Sequence, residues 1–395
     1  MKKPLNILHM SSTRKRGGSG ASAMAIVKKL HERGHKVIYV CRESSLGFNM
    51  LKEKNLKMIT TVGMKAGFKP TPSFISTFLN DIKTIAEIID EEKINIVHMH
   101  SSPEGWIGTV AALRSSMDPA LIRTRHIVVP VKRNQANIYM FNNYTDAVIT
   151  VAETIRQHYF DRGLYDLSKI ETIYDGVDIS RFNPRLYGST VRNELGIKEG
   201  TSVISVIARY SRVKGHIYFL EAMKEVVKDF PQTVALLAGQ KGKKGNLGVF
   251  EELCSATERL GLKDNVRFLD FRTDIPEILA ASDIFVLPSI GSEGSSRGTL
   301  EAMAMAKPCV VTKVGVLPEF IEEGITGCLV NKKDGAALAQ GIKKLLSRMA
   351  EAKKMGERAR TKVLERYSED IMVEKTEDLY YRAIEKKRKR SSAKQ

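Results

Sequence analysis

The chain has 395 residues, of which 43% are hydrophobic and 27% charged, and its formal net charge at neutral pH is +18. This length exceeds the usual size of a single hydrophobic core, so we expect two domains. The sequence contains no run of 18 or more apolar residues, which argues against a membrane-spanning helix, and its first apolar stretch is too short for a secretory signal. Its four scattered cysteines lack CxxC spacing, which argues against a zinc site or a disulfide framework and favours reduced cysteines in a cytosolic protein.

The first half of the chain alternates predicted strands and helices. A strand over residues 5–9 is followed by a polar loop that contains Gly17 and Gly18, a helix over 21–34 and a strand over 36–41. This order predicts a Rossmann-like βαβ unit, although the loop lacks the GxGxxG spacing of dinucleotide-binding proteins. Further helices are predicted near 73–92, 105–113 and 153–162, and further strands over 94–98 and 147–151.

The same alternation starts again after residue 180. The run 202–208 is almost continuously apolar, which is typical of a parallel strand buried on both faces. Alternating elements on both sides of residue 180 predict two parallel-sheet domains, with a boundary within 178–195. The other strands of this half are predicted over 233–238, 266–269, 284–287 and 309–312, and its helices near 216–229, 334–348 and 350–366.

The segment 288–330 carries the strongest functional pattern. A loop rich in Gly and Ser leads into a short apolar helix, and seven residues separate Glu293 in the loop from Glu301 in the helix. Gly298 is predicted as the helix cap. A glycine-rich loop before a helix leaves backbone N–H groups free to bind phosphate, and carboxylates accept hydrogen bonds from sugar hydroxyls. The segment therefore predicts a nucleotide-sugar site, whereas a bare pair of glutamates would indicate only a surface helix.

This segment resembles the Glu-x7-Glu signature of the retaining glycosyltransferases of family 4. The flanking runs 282–289, 314–315 and 318–319 fit the same family. The resemblance implies a GT-B fold, an α/β architecture in which two Rossmann-like parallel-sheet domains face a central cleft. It places an acceptor-side domain at 1–180, a nucleotide-sugar domain at 181–367 and a helix crossing back to the first domain at 368–385. We expect residues 386–395 to form a basic disordered tail.

Two cations follow the strand predicted at 202–208. Arg209 and Lys214 resemble the Arg and Lys of the family's Gly-Arg…Lys-Gly motif, with Ala208 in place of the usual glycine. A lone surface cation is usually solvated, but a pair at the end of a strand can hold a diphosphate and neutralise the leaving group. No Asp-x-Asp motif lies in a suitable loop, so we predict no metal site and no cofactor besides the donor substrate.

The resemblance also assigns the remaining site residues. Glu301 is expected to bind the ribose, Glu293 the hydroxyls of the donor sugar, and His126 to lie beside the transferred sugar. His126, Glu293, Arg209 and Lys214 are thus the predicted catalytic residues. His100 is a weaker candidate, because a lone histidine is more often a satisfied core or loop residue. The other donor contacts are Gly18, Phe271, Arg272, Gly298, Thr299 and Leu300, and the acceptor side comprises Gly17, Gly18 and His100.

The activity that the resemblance implies is transfer of a sugar from a nucleoside diphosphate to an acceptor hydroxyl. Retention of configuration would follow from front-face attack through an oxocarbenium-like state. A GT-B sugar-nucleotide epimerase is one alternative, since it shares the architecture. A basic nucleic-acid-binding protein is another, although the sequence has no zinc-finger or RRM signature and nucleic acid is therefore not the expected partner.

The excess positive charge is unevenly distributed. Residues 1–175 carry 25 Lys and Arg against 16 Asp and Glu, and the last ten residues carry six Lys and Arg. Basic segments are attracted to anionic lipid by about 1 kcal/mol per residue. The sequence therefore favours a cytoplasmic enzyme that docks on the inner membrane leaflet and acts on a glycan or lipid-linked acceptor in bacterial-type cell-surface glycan, glycolipid or lipopolysaccharide synthesis. Charge that merely keeps the protein soluble is the alternative.

Overall fold

A computed structural model of the chain describes residues 3–13, 18–42, 56–64, 71–129, 134–241, 248–291 and 293–392. The chain divides into two compact units, which we call unit 1 (residues 1–175 and 369–395) and unit 2 (residues 176–368). Each unit contains one sheet in which all neighbouring strands run parallel. Within the described ranges, no helix combines the length and the hydropathy needed to cross a bilayer.

Unit 1 contains a seven-stranded sheet in the order β3-β2-β1-β4-β5-β6-β7. The strands are β1 (Asn6–Ser11), β2 (Lys36–Cys41), β3 (Lys57–Ile59), β4 (Ile96–Met99), β5 (Ala120–Arg125), β6 (Ala147–Thr150) and β7 (Ile170–Thr172). The helices are α1 (Gly18–Glu32), α2 (Pro72–Glu91), α3 (Ser102–Arg114), α4 (Gln135–Tyr144) and α5 (Glu153–Phe160). The strand order reverses at β1 and β4, and polar side chains gather near the carboxyl ends of these two strands.

Helices cover both faces of this sheet. One face packs against α2 and α3. The other face packs against α1 and against the last helix of the chain, which we label α14 (Glu369–Ser392). Tyr380 of α14 is fully buried there. Because both faces are covered, the strands are rich in apolar residues instead of alternating apolar and polar ones.

The end of α14 corrects the expected disordered tail. The helix continues through 386–392, and residues 393–395 lie outside the described part. Lys387 holds this end onto unit 1, since its Nζ donates to the Pro119 carbonyl at 2.7 Å and pairs with Asp118 at 2.7 Å. Lys389 also pairs with Glu385 one turn earlier. Cations near a helix C-terminus interact favourably with the helix dipole, so the basic run extends the helix.

Unit 2 contains a six-stranded sheet in the order β10-β9-β8-β11-β12-β13. Its strands are β8 (Val203–Ile207), β9 (Val234–Ala238), β10 (Val266–Leu269), β11 (Ile284–Leu287), β12 (Cys309–Thr312) and β13 (Gly327–Val330). Its helices are α6 (Ser189–Glu194), α7 (His216–Asp229), α8 (Val249–Arg259), α9 (Ile275–Ala281), α10 (Arg297–Ala304), α11 (Leu317–Phe320), α12 (Gly335–Ser347) and α13 (Met349–Arg366). The strand order reverses between β8 and β11, so the loops that follow these two strands are neighbours at the carboxyl edge.

Candidate active site

The loops after β8 and β11 of unit 2 pack against each other with almost no space between their backbones. Gly215 has φ +68°, and a Cβ on it would lie 2.0 Å from the Pro288 carbonyl oxygen. The Ile290 amide donates to the Val213 carbonyl at 2.9 Å. A side chain at position 215 would therefore separate the loops, and glycine both removes this clash and allows the left-handed backbone.

Glu293 is the buried acid at the centre of this edge. Its side chain is 2% exposed, and its Oε1 accepts hydrogen bonds from the Lys214 ammonium and the Ser289 hydroxyl. Its carbonyl accepts from the Val316 amide at 2.9 Å, and a Cβ on Gly315 would lie 2.0 Å from that carbonyl oxygen. The chain thus fixes both the backbone and the carboxylate of Glu293, and two predicted site residues, Lys214 and Glu293, are in direct contact.

The N-cap of helix α10 lies two residues before the predicted cap, Gly298. Ser296 occupies the N-cap position with a left-handed backbone (φ 39°), so Gly298 lies inside the first turn. A Cβ on Gly298 would come within 3.0 Å of the Ile207 carbonyl oxygen at the end of β8. Thr299 and Leu300 are buried, and their amides donate to the Ser296 carbonyl at 3.0 and 3.3 Å. The amides of these two residues, which belong to the predicted donor contacts, thus already have an acceptor within the chain.

Glu301 lies on the same helix but in a different environment. Its carboxylate is 14% exposed and lies 3.5 Å from the Nε of Arg297, one turn earlier. The two glutamates of the signature therefore have separate cationic partners. Glu293 is tied to Lys214 inside the loop, whereas Glu301 stays accessible near the start of the helix.

The two predicted arginines of unit 2 differ in their partners. Arg209 is exposed and has no ion-pair or hydrogen-bond partner among the described residues. Arg272 binds the carboxylates of Glu194 and Asp274 through its guanidinium nitrogens, at 2.5–2.8 Å. These bonds raise the pKa of Arg272 and lower that of Asp274. Arg272 thus has its charge balanced within the chain, and the neighbouring Phe271 exposes 44% of its surface.

Unit 1 has a column of polar side chains, which we call the histidine column, on the sheet face that carries α1 and α14. His9 of β1 pairs in register with His98 of β4, and His100 follows two residues later on the same face. A ring nitrogen (Nε2) of His9 contacts Nε2 of His100, whose Nδ1 lies 2.9 Å from Nε2 of His126. His98 lies 2.6 Å from both the Tyr380 and the Thr124 hydroxyls. His100 and His126, two predicted site residues, are therefore in direct contact.

Burial keeps these histidines neutral near pH 7. It lowers the pKa of His9 to about 3 and those of His98 and His100 well below 6.5. His126 is half-buried, and desolvation lowers its pKa too, but the negative charge of Asp175 opposes that shift. His126 is thus the member of the column that has a counter-charge beside it.

The loop after β1 is held by a residue that sequence reasoning missed. Glu104, in the first turn of α3, is fully buried and accepts a hydrogen bond from the Ser12 amide, and burial raises its pKa. A single acid in an otherwise apolar helix gave no signal of this contact. Gly18 is the first residue of α1, and Gly17 lies outside the described residues.

Two family sequence models match this chain. "Glycosyltransferase Family 4" matches residues 16–181, and "Glycosyl transferases group 1" matches residues 189–362. The chain is 26% identical over 374 residues to N-acetyl-alpha-D-glucosaminyl L-malate synthase from Bacillus anthracis, which covers 92% of this chain and 94% of the relative. It is 26% identical over 331 residues to UDP-Gal:alpha-D-GlcNAc-diphosphoundecaprenol alpha-1,3-galactosyltransferase from Escherichia coli, which covers 80% and 84%.

A solved structure has the same fold. Anabaena Alr3699/HepE in complex with UDP and glucose superposes with a TM-score of 0.81 at 22% identity, over 95% of this chain and 98% of that one. The two family models together span most of both units, and each unit has the parallel sheet that a GT-B domain requires. This chain therefore belongs to glycosyltransferase family 4 and has the GT-B fold.

Proposed function

We propose that this glycosyltransferase retains the anomeric configuration of the sugar and uses a nucleoside-diphosphate sugar as donor. The observation that carries the proposal is the buried contact of Glu293 with Lys214 and Ser289 at the carboxyl edge of the unit 2 sheet. A carboxylate that is ion-paired and hydrogen-bonded in this way is a weak nucleophile but a good acceptor for sugar hydroxyls. The arrangement favours front-face attack over a covalent glycosyl-enzyme, which needs a free carboxylate near the anomeric carbon.

In this mechanism, positive charge on unit 2 stabilises the leaving diphosphate. Arg209 is the better candidate for direct contact, because it is exposed and unpaired within the described residues, whereas Lys214 already faces a carboxylate. The N-terminus of α10 adds a favourable dipole. The charge on the leaving group would then be balanced by protein groups, and the reaction would need no divalent ion.

We further propose a uridine diphosphate sugar as donor and a lipid-linked glycan as acceptor. The name of the Escherichia coli relative includes UDP-Gal and a diphosphoundecaprenol-linked sugar. The structure with the same fold holds UDP and glucose. A lipid-linked acceptor also suits the basic composition of residues 1–175, and it supports a role in cell-surface glycan or glycolipid synthesis with docking on the inner membrane leaflet.

Thermal unfolding with UDP-, GDP- and ADP-sugars tests the donor proposal. A donor at 100 times its dissociation constant should stabilise the protein by about 2.7 kcal/mol. NMR of the first product formed then reports its anomeric configuration. Arg209→Gln should remove most of the stabilisation, whereas Arg212→Gln, in the same loop but paired with Glu252, should keep it. A product with inverted configuration would overturn the retaining mechanism, and stabilisation by none of the donors would overturn the donor proposal.

A further inference from the structure

The histidine column of unit 1 invites a metal-site interpretation. His9, His98 and His100 are buried, and each has a ring nitrogen within 4.8 Å of the others. However, Nε2 of His9 and Nε2 of His100 contact each other directly, so there is no room for an ion between these two atoms, and Nδ1 of His100 lies 2.9 Å from Nε2 of His126. Both nitrogens of His98 are also bonded to hydroxyl groups.

Proton counting gives a different interpretation of the column. A neutral imidazole has one N–H donor and one bare nitrogen. His98 is satisfied by Tyr380 and Thr124, so it stands apart. His9, His100 and His126 form a chain with two hydrogen bonds, and among the described residues only the Nδ1 atoms at its two ends, on His9 and His126, lack a partner. In a neutral chain both bonds must run in the same direction, because His100 has a single proton to give.

The direction of the bonds decides what His126 presents at Nδ1. If the donors point toward His126, then His9 donates from Nε2, His100 donates from Nδ1, and His126 carries its proton on Nδ1. If they point the other way, Nδ1 of His126 is bare. The negative charge of Asp175, which is buried with its Oδ2 unpartnered in the described residues, favours the first direction because it turns the N–H dipoles toward His126.

We propose that His9 and His100 are positioning residues that hold His126 as an Nδ1–H donor through this chain of hydrogen bonds. The inference rests on the proposed function and on the expectation, given by the family resemblance, that His126 lies beside the transferred sugar. His126 would then carry an N–H at Nδ1, and this buried nitrogen would not act as a general base. Asp175 fits this role, since its other carboxylate oxygen is anchored by the Ser22 hydroxyl.

Protonation of His126 should reverse the direction of both hydrogen bonds between His9, His100 and His126. An imidazolium donates from both nitrogens, so His100 must accept at Nδ1 and carry its own proton on Nε2. His9 must then accept at Nε2 and carry its proton on Nδ1. One proton is gained in total, and the N–H of His126 at Nδ1 is kept in both states.

The ionisable groups around these three histidines are His98 of β4, Tyr39 of β2, Glu104 of α3, Tyr380 of α14 and Asp175. Of these, Asp175 is the carboxylate that raises the pKa of His126.

Nitrogen-15 NMR of histidine-labelled full-length protein tests this directly. As the pH falls, the signals of His9 and His100 should exchange their protonated and bare nitrogens with one common midpoint, which is the midpoint of His126 and lies below 6.5. His98 is the internal control and should keep its tautomer. Asp175→Asn, which preserves shape and the Ser22 contact, should move the common midpoint to lower pH. If His9 or His100 titrates independently of His126, or if its tautomer never changes, the three histidines are not coupled as proposed.

Two further measurements separate the outcomes. His9→Phe removes the donor and should give His126 a mixture of tautomers and a kcat lower by roughly tenfold or more, with the donor KM unchanged; His9→Gln, which retains an N–H, should keep most of the rate. If the protein proves to transfer no sugar, the NMR result still stands. Failure of the proposed function can therefore be distinguished from failure of this inference. Stoichiometric binding of zinc chloride that perturbs His9 and His100 would overturn the inference in favour of a metal site.

Discussion

Glu293 and Glu301 have the same chemistry but different surroundings. Glu293 is buried, fixed through its backbone and bonded to Lys214 and Ser289. Glu301 is more accessible and faces Arg297 over 3.5 Å. A buried charge that loses its partner is costly, whereas an accessible one is easily compensated by water. The two residues should therefore respond differently to substitution.

Glu301→Ala should weaken binding of the nucleoside diphosphate, because it removes the proposed ribose contacts. Glu293→Gln should leave that affinity nearly unchanged and reduce turnover of the nucleotide-sugar, because the amide keeps the shape of the carboxylate and loses its charge. Calorimetry with the nucleotide and initial rates with the nucleotide-sugar measure the two effects. Glu351→Ala, an exposed residue of α13, is the control. An equal loss of nucleotide affinity in Glu301→Ala and Glu293→Gln would contradict this division of roles.

Arg209 leads to a prediction about metal removal. If protein cations stabilise the leaving diphosphate, the rate should be largely unchanged in EDTA, and Arg209→Gln should lower it on the order of 100-fold, as loss of one transition-state contact does. Arg267→Gln, on β10, is a matched change at a residue bonded only to nearby carbonyls among the described groups. A rate that disappears in EDTA and returns with magnesium or manganese would show that an ion supplies the charge instead.

Arg272 illustrates the limit of reading single residues from sequence. The family resemblance predicts a donor contact for this residue, and the structure shows that its guanidinium also binds Glu194, which is 78 residues away in the chain. The contact of Lys214 with Glu293 was equally invisible, since the sequence gave each residue a role but no partner. Pairs of this kind depend on the packing of distant loops, and no local pattern encodes them.

At the scale of elements, the apolar strands were predictable and several others were not. The strands at 36–41, 266–269, 284–287 and 309–312 have the predicted bounds, because a strand covered on both faces is a continuous apolar run. The strand β5 was missed because it contains two arginines. Arg123 is tolerated there since its guanidinium donates to the Gly105 carbonyl and the Thr109 hydroxyl of α3, at 3.0 and 3.1 Å. The short helices α6, α9 and α11 lack a periodicity long enough to be recognised. Helix α8 was missed although its buried residues Val249, Leu253 and Ala256 recur at helical spacing.

The loop after β8 gives a prediction that separates steric contact from backbone strain. Gly215 and Gly261 have nearly the same φ, +68° and +70°, but a Cβ on Gly261 would meet nothing within 4 Å. Alanine at either position should cost about 1 kcal/mol through its left-handed backbone. Gly215→Ala should also push the loop away from Pro288 and therefore weaken nucleotide binding, whereas Gly261→Ala should bind normally.

Thermal unfolding and calorimetry of both variants check this expectation. The stability loss should be larger for Gly215→Ala, and only that variant should lose nucleotide affinity. If the two variants lose the same stability and both bind the nucleotide as the wild type does, the close approach of the two loops does not matter for the donor site.

At the scale of the whole molecule, the positive charge is the property that the fold alone does not explain. Residues 386–392, at the basic end of the chain, are part of helix α14 and not a disordered tail. Lys387 is used structurally, since it pairs with Asp118 and donates to Pro119. Lys386, Arg388 and Arg390 are exposed on the same end of the helix. A truncation would therefore remove a structural contact together with the exposed charges, and substitutions give the cleaner experiment.

Replacing Lys386, Arg388 and Arg390 together by Gln should weaken binding to anionic vesicles, at about 1 kcal/mol per lost charge, and leave thermal stability nearly unchanged. Vesicle co-sedimentation at low salt measures the binding, and high salt should reduce it because exposed charges are screened. The matched control replaces three exposed lysines of unit 2, Lys224, Lys332 and Lys354, and makes the same change in net charge. The membrane proposal requires that the wild type binds anionic but not zwitterionic vesicles and that the α14 variant loses more binding than the control. Equal losses would mean that total charge alone is responsible, and no binding by the wild type would remove the membrane from the proposed function without affecting the donor site.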